Sequence, residues 1–100
     1  MDFTIEKNII TLHQQDKQYG FIDFSMENEH LVSLKKVYVN PEYRGQGIAG
    51  KLMDFAAATF HDKGYTVRPV CPYAFTWYKR HPQFESEVIY PDQDQLSCQL

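Results

Sequence analysis

A chain of 100 residues, 43% hydrophobic and 15% aromatic, has material for one compact core and none for a second domain. A formal charge of −3 and a pI near 5.7 argue against the basic surface by which nucleic-acid binders neutralise phosphates. No apolar stretch is long enough to cross a bilayer, and the opening Met1-Asp2-Phe3-Thr4-Ile5-Glu6 lacks the basic and apolar regions of a secretory signal, so a soluble, cytoplasmic protein is expected, with neither nucleic acid nor membrane as partner. Cys71 and Cys98 lie far apart and form no paired ligand motif, which predicts neither a disulfide framework nor a metal site.

In chain order, Thr4 to Glu6, Ile9 to His13 and Tyr19 to Met26 read as short strands, with turns at Lys7-Asn8, Asp16-Lys17 and Asn28-Glu29. Connections this short favour antiparallel neighbours. In the third strand Ile22, Phe24 and Met26 alternate with Phe21, Asp23 and Ser25, the pattern of a strand with one packed face. The next segment, Leu31 to Val39, begins with Val32 and Leu34 in even phase and ends with Val37 and Val39 in odd phase. A β-bulge at Lys35-Lys36 accounts for the slip. A helix follows the glycine-containing turn, with Ile48, Leu52, Phe55, Ala56 and Phe60 on one face and Gly64 as its left-handed cap. Tyr65 to Val70 reads as a strand in which Pro69 cannot donate to a ladder, and therefore marks a place where that strand is unpaired. A last helix from Tyr73 to Arg80 stops before His81-Pro82. The domain is expected to occupy residues 1–90, with 91–100 a loosely ordered tail, in an α+β layer fold.

Between the slipped strand and the first helix lies Arg44-Gly45-Gln46-Gly47-Ile48-Ala49. Small residues there let consecutive backbone N–H groups approach an anion at a helix N-terminus, and Arg44 adds a guanidinium. The pattern suits a pyrophosphate. The Lys and Ser/Thr of a Walker loop are missing, and a Rossmann loop follows a parallel strand near the start of its unit.

The stretch Val37-Tyr38-Val39-Asn40-Pro41-Glu42-Tyr43-Arg44-Gly45-Gln46-Gly47-Ile48-Ala49 resembles motif A of the GCN5-related N-acetyltransferase (GNAT) superfamily, with Arg44, Gly47 and Ala49 in its three signature positions. Val70-Cys71-Pro72-Tyr73-Ala74 and Lys79-Arg80-His81-Pro82 extend the resemblance to the short, single-domain branch with a Cys-Pro-Tyr motif. The resemblance implies a truncated acyl-CoA N-acyltransferase fold: a mixed, mostly antiparallel sheet with a bulged strand and two main helices. It implies acetyl-CoA as co-substrate, with no metal. The backbone of Val37, Tyr38 and Val39 would take the pantetheine arm, and Arg44, Gly45, Gln46, Gly47, Ile48 and Ala49 the pyrophosphate. The two helices that wall the acceptor site in larger relatives have no counterpart here, and Lys36-Val37 stands where short-branch relatives often carry His-Thr.

Two residues are candidates for chemistry. Cys71 precedes a helix that starts at Pro72, where the positive helix end would make a thiol more nucleophilic, so a transient acetyl-cysteine is one reading and a small buried hydrophobe the other. Tyr78 lies about where larger relatives carry a tyrosine that protonates the leaving sulfur; the competing reading is that Tyr73, Trp77 and Tyr78 pack the last helix on the sheet. His81 reads as a helix cap, and Lys35 and Lys36 as a cationic rim. The function expected is acetyl transfer from acetyl-CoA to a small amine, a thiol or a peptide amine, by a monomer or weak homodimer. The alternative is a non-catalytic acyl-CoA-binding or protein-interaction module.

Overall fold

The computed structural model describes residues 1–92. Five strands pair in sequence order: β1 (Asp2–Glu6), β2 (Ile9–Gln14), β3 (Lys17–Met26), β4 (Leu31–Val39) and β5 (Thr66–Pro69). The first three pairings are antiparallel and β4–β5 is parallel. This is the mixed, mostly antiparallel sheet expected of the α+β fold. Lys7 and Gln15 hold the first two turns with φ of 54° and 57°. The second turn is Gln15-Asp16 and Lys17 already opens β3, so the predicted turn lies one residue late.

A parallel strand cannot follow β4 through a tight turn, and α1 (Ile48–Asp62) makes the crossover to β5. Its Ile48, Leu52, Met53, Ala56, Ala57 and Phe60 are buried over the row formed by Ile10, Leu12, Ile22, Phe24, Val32 and Leu34. Phe55, predicted on the packed face, sits at its border and stacks on Phe3 with ring centroids 4.2 Å apart. Met26 ends its strand exposed instead of packed. Gly64, at φ 73°, closes α1: the Tyr65 N–H reaches back to the Phe60 carbonyl at 2.9 Å, and the Lys63 N–H bonds the Thr59 carbonyl. α2 (Pro72–Lys79) buries Ala74, Trp77 and Tyr78, and the 3₁₀ turn Pro82–Glu87 follows it. His81 caps α2, its Nδ1 lying 2.6 Å from the Trp77 carbonyl and its ring stacked on Trp77. Beyond that turn the chain returns along the outer edge of β5, where Val88 bridges Val67 and the Ile89 N–H donates to the Val67 carbonyl at 2.9 Å. Of the expected tail, residues 93–100, with Cys98, lie outside the described residues.

The bulge falls at Lys35. Asp23 pairs with Lys36 and Phe24 with Leu34, so Lys35 has no opposite number. Before it, the carbonyls of His30 and Leu34 face β5, accepting from Thr66 and from both Val70 and Cys71. After it, the Asn40 N–H donates to Tyr19 of β3, which by alternation turns the backbone of Val37 and Val39 away from β3. Pro69, expected where the strand is unpaired, is instead the last paired residue, opposite Leu34, because alternation turns its nitrogen away from β4; β5 pairs no further, so the outward backbone of Val37 and Val39 has no strand beside it.

Gly20 is where β3 tolerates no side chain: a Cβ there would stand 2.5 Å from the Tyr38 carbonyl oxygen and 3.1 Å from Leu52 Cδ1. Gly20→Ala is expected to lower stability by about 1–3 kcal/mol through this overpacking, read as a lower denaturation midpoint in urea with an unchanged slope.

Candidate functional site

At the point where β4 and β5 part, a cleft of about 360 Å³ opens between the end of β4, the start of α1 and the first turn of α2. Val37, Tyr38 and Val39 form one wall, Arg44, Gly45, Gly47, Ile48 and Ala49 the second, and Tyr73 the third. Eight of the nine residues expected to bind the cofactor line it, and Gln46 does not. Tyr43 and Gly50 join them.

The geometry of the loop is set locally. The Asn40 side chain accepts from the Glu42 N–H at 3.2 Å and starts a 3₁₀ turn at Pro41–Tyr43. Tyr43 packs edge-on against Tyr19, with ring centroids 4.4 Å apart, and fixes the turn to β3. Arg44 then doubles back: its Nε donates to the Val39 carbonyl at 3.1 Å and its guanidinium lies 5.9 Å from the Tyr38 ring centre. That bond satisfies one of the outward carbonyls of β4 and holds the cation at the cleft mouth. Gly45 and Gly47 adopt φ of 81° and 75°, the left-handed region that a side chain disfavours by about 1–2 kcal/mol. A Cβ at either would meet nothing within 4 Å, so these glycines serve backbone conformation and keep the space above the loop open.

Gly47 is the N-cap of α1, and its carbonyl takes the first helical bond from Lys51. The N–H groups of Ile48, Ala49 and Gly50 therefore have no acceptor inside the helix. No acidic residue occupies the first turn. The cleft floor is thus a set of unsatisfied donors at the positive end of a 15-residue helix, beside one arginine, and it suits a phosphate-bearing ligand.

Cys71 and Tyr78 do not line this cleft. Cys71 is the N-cap of α2, 8% exposed, and makes no side-chain cap bond. Tyr78 is buried among Trp77 and Phe84. Burial, followed by the Glu87 carboxylate and Tyr90, pushes its phenol far above the ordinary value. Tyr73, read from sequence as one of three packing aromatics, is 44% exposed and faces the cleft. Ala74, Trp77 and Tyr78 form the packed stripe of α2 and Tyr73 falls off it, although its i, i+4 spacing to Trp77 would equally have allowed it to pack. Its phenol is also raised above the usual value of 10.0, by burial first and then by the Asp54 carboxylate. It is protonated throughout the neutral range. Among the described residues there is no cluster of three or more His, Cys, Asp or Glu able to hold a metal, and no helix long and apolar enough to cross a membrane.

Against known proteins, the family model for GCN5-related N-acetyl-transferase matches residues 7–88. No curated protein matches the chain. Among solved structures, a GCN5-like protein from Staphylococcus aureus superposes with a TM-score of 0.73 at 12% identity, covering 92% of this chain and 91% of its own. Ard1 from Thermoplasma volcanium aligns at 0.60 and 19% identity, over 74% of this chain and 53% of its own. The ribosomal-protein-S18-alanine N-acetyltransferase from Escherichia coli aligns at 0.54 and 20% identity, over 59% of this chain and 38% of its own. This chain thus spans nearly all of the first structure but about half or less of the other two. At these identities the likeness is one of fold.

Proposed function

The chain belongs to the GCN5-related N-acetyl-transferase family, and from that premise we propose that residues 1–90 form a small N-acetyltransferase that moves an acetyl group from acetyl-CoA to an amine by direct attack on the bound thioester. One observation carries the reading. The outward backbone of Val37 and Val39, released by the bulge at Lys35, opens into the same cleft as the unsatisfied amides of α1.

In this reading the pyrophosphate lies over Gly45 to Gly50, with Arg44 as counter-charge, and the pantetheine arm takes the place of a strand beside β4. The outward N–H groups of β4 donate to the pantetheine amides and polarise the thioester carbonyl. The neutral amine attacks the carbonyl carbon, a C–N bond forms, and the C–S bond breaks with its electron pair on sulfur. Tyr73 protonates that sulfur, and the proton shed by the new amide nitrogen returns the phenolate to its neutral form through solvent. We assign this donor role to Tyr73 and not to Tyr78, whose hydroxyl is in the core. Cys71, buried and off the cleft, acts as a packing residue.

Calorimetric titration of acetyl-CoA is expected to show binding to the wild type and none to Gly47→Glu, which sets a carboxylate where the pyrophosphate belongs. Absence of both heat and thermal stabilisation in the wild type would overturn the reading. Tyr73→Phe is expected to cut kcat by about 10²–10⁴-fold with little change in acetyl-CoA affinity. Because burial, then the Asp54 carboxylate, raises the phenol above its ordinary value of 10.0, the wild-type rate should show no falling limb from this group in the neutral range. Cys71→Ala should retain transfer with no burst of acetylated protein, as seen by intact mass after rapid quench; a labelled wild-type Cys71 in the same assay would establish the covalent route.

A further inference from the structure

On the face of the sheet opposite α1, a second cleft of about 560 Å³ backs onto the same bulge. Its polar lining is a register effect. Ser25 of β3 is the cross-strand partner of Ser33 of β4, and Ser33 is the partner of Arg68 of β5. The three side chains form a row across the sheet, out of phase with Phe24, Val32 and Leu34, which face α1. Glu27, two residues beyond Ser25, reaches over this row. Both of its carboxylate oxygens accept from Arg68 Nη1, at 2.7 and 2.9 Å. The hydroxyl of Ser33, only 7% exposed, also donates to it.

The carboxylate is therefore spent on holding the arginine. The Nε and Nη2 donors of Arg68 have no partner among the described residues, and Lys35, the bulged residue itself, lines the same cleft. With Glu27 against Arg68 and Lys35, the charged lining carries one more positive charge than negative. Val70, whose N–H shares the Leu34 carbonyl with that of Cys71, lies on its wall at the gap between β4 and β5.

We propose that this second cleft is the acceptor site and that its acceptor is a small primary amine carrying a carboxylate. The inference rests on the acetyl-CoA reading of the first cleft. Lys35 lies on the second cleft and Val37, two residues on, lines the first, so an amine in one faces a thioester in the other across the gap left by the parted strands. Arg68 and Lys35 bind the carboxylate, Arg68 through a planar fork suited to it. The same two cations disfavour the ammonium form of the acceptor and so favour the neutral nucleophile that the chemistry needs. Glu27 and Ser33 are positioning residues, acting through Arg68.

The test is a series of ω-amino acids from glycine to 5-aminopentanoate, each compared with its neutral amide, in an acetyl-CoA-dependent assay for released CoA. At least one carboxylate of the series is expected to be turned over with kcat/KM about tenfold or more above its amide. Lys35→Gln and Arg68→Gln should each erase most of that preference while leaving acetyl-CoA affinity unchanged; Lys35 is exposed, so its variant keeps the test valid even if Arg68→Gln fails to fold. Equal or better turnover of the amides, no turnover anywhere in the series, or a preference that survives Lys35→Gln would overturn the proposal. Amide NMR separates the two readings. Acetyl-CoA should shift Arg44 to Gly50, and 4-aminobutyrate should shift Ser25, Ser33 and Arg68. If acetyl-CoA moves its set and no amino acid of the series moves the other, the acceptor inference falls alone. If acetyl-CoA moves nothing, the transferase reading falls and takes this one with it.

Discussion

The geometry of the candidate site depends on one unpaired residue, Lys35. A strand that kept its phase from Leu31 to Val39 would continue to offer the same backbone groups to β5 and the same side chains to α1. The extra residue reverses both. Side chains change parity, so that Val37 and Val39 replace Val32 and Leu34 in packing against the core. Backbone groups change direction, so that the polar edge of β4 beyond the bulge points into a cleft instead of into a ladder. The ladder ends where the Val70 and Cys71 N–H groups both converge on the Leu34 carbonyl, after which β5 gives way to α2. An edge of unpaired peptide groups is ordinarily a liability. Here it is enclosed at one end by a helix terminus and at the other by Tyr73, and the proposed pantetheine arm would take the place of the missing strand.

The second determinant is electrostatic. The start of α1 is a concentrated partial positive charge only because nothing neutralises it: its first turn holds no carboxylate, and Gly47 caps without a side chain. The one full charge among the residues lining the mouth, Arg44, is tied back to the Val39 carbonyl and lies against the Tyr38 ring, so its side chain is already ordered before any ligand arrives. In a chain with a net charge of −3, this local concentration of donors gives the cleft a sign opposite to that of the whole.

Much of this was legible in the sequence because it is local. The phase slip between Leu34 and Val37 marks the bulge to within a residue, and Gly64 marks the end of α1 through the handedness of its φ. That Arg44 to Ala49 would open a helix N-terminus through a glycine-containing loop also follows from spacing alone. What escaped was non-local. That Tyr73 faces a cleft while Tyr78 enters the core depends on the rotation of α2, which eight residues of mixed aromatic character do not specify. The row Ser25, Ser33, Arg68 is invisible until β3, β4 and β5 are placed in register, since each residue alone reads as an ordinary polar position on a half-wet strand. Met53 and Ala57 widen the packed stripe of α1 because the sheet beneath it is broad enough to cover both.

The return of the chain along β5 separates the two borders of the sheet in kind. With Val88 and Ile89 seated against Val67, the β5 border is already occupied by the protein's own backbone and offers no template for strand addition. The β1 border is bare among the described residues, and it carries Asp2 at one end and Glu6 at the other. Two such strands meeting antiparallel about Thr4 would set Asp2 of each copy opposite Glu6 of the other, stacking carboxylate on carboxylate at both ends of the seam. The molecule thus guards one border by steric occupation and the other by repulsion.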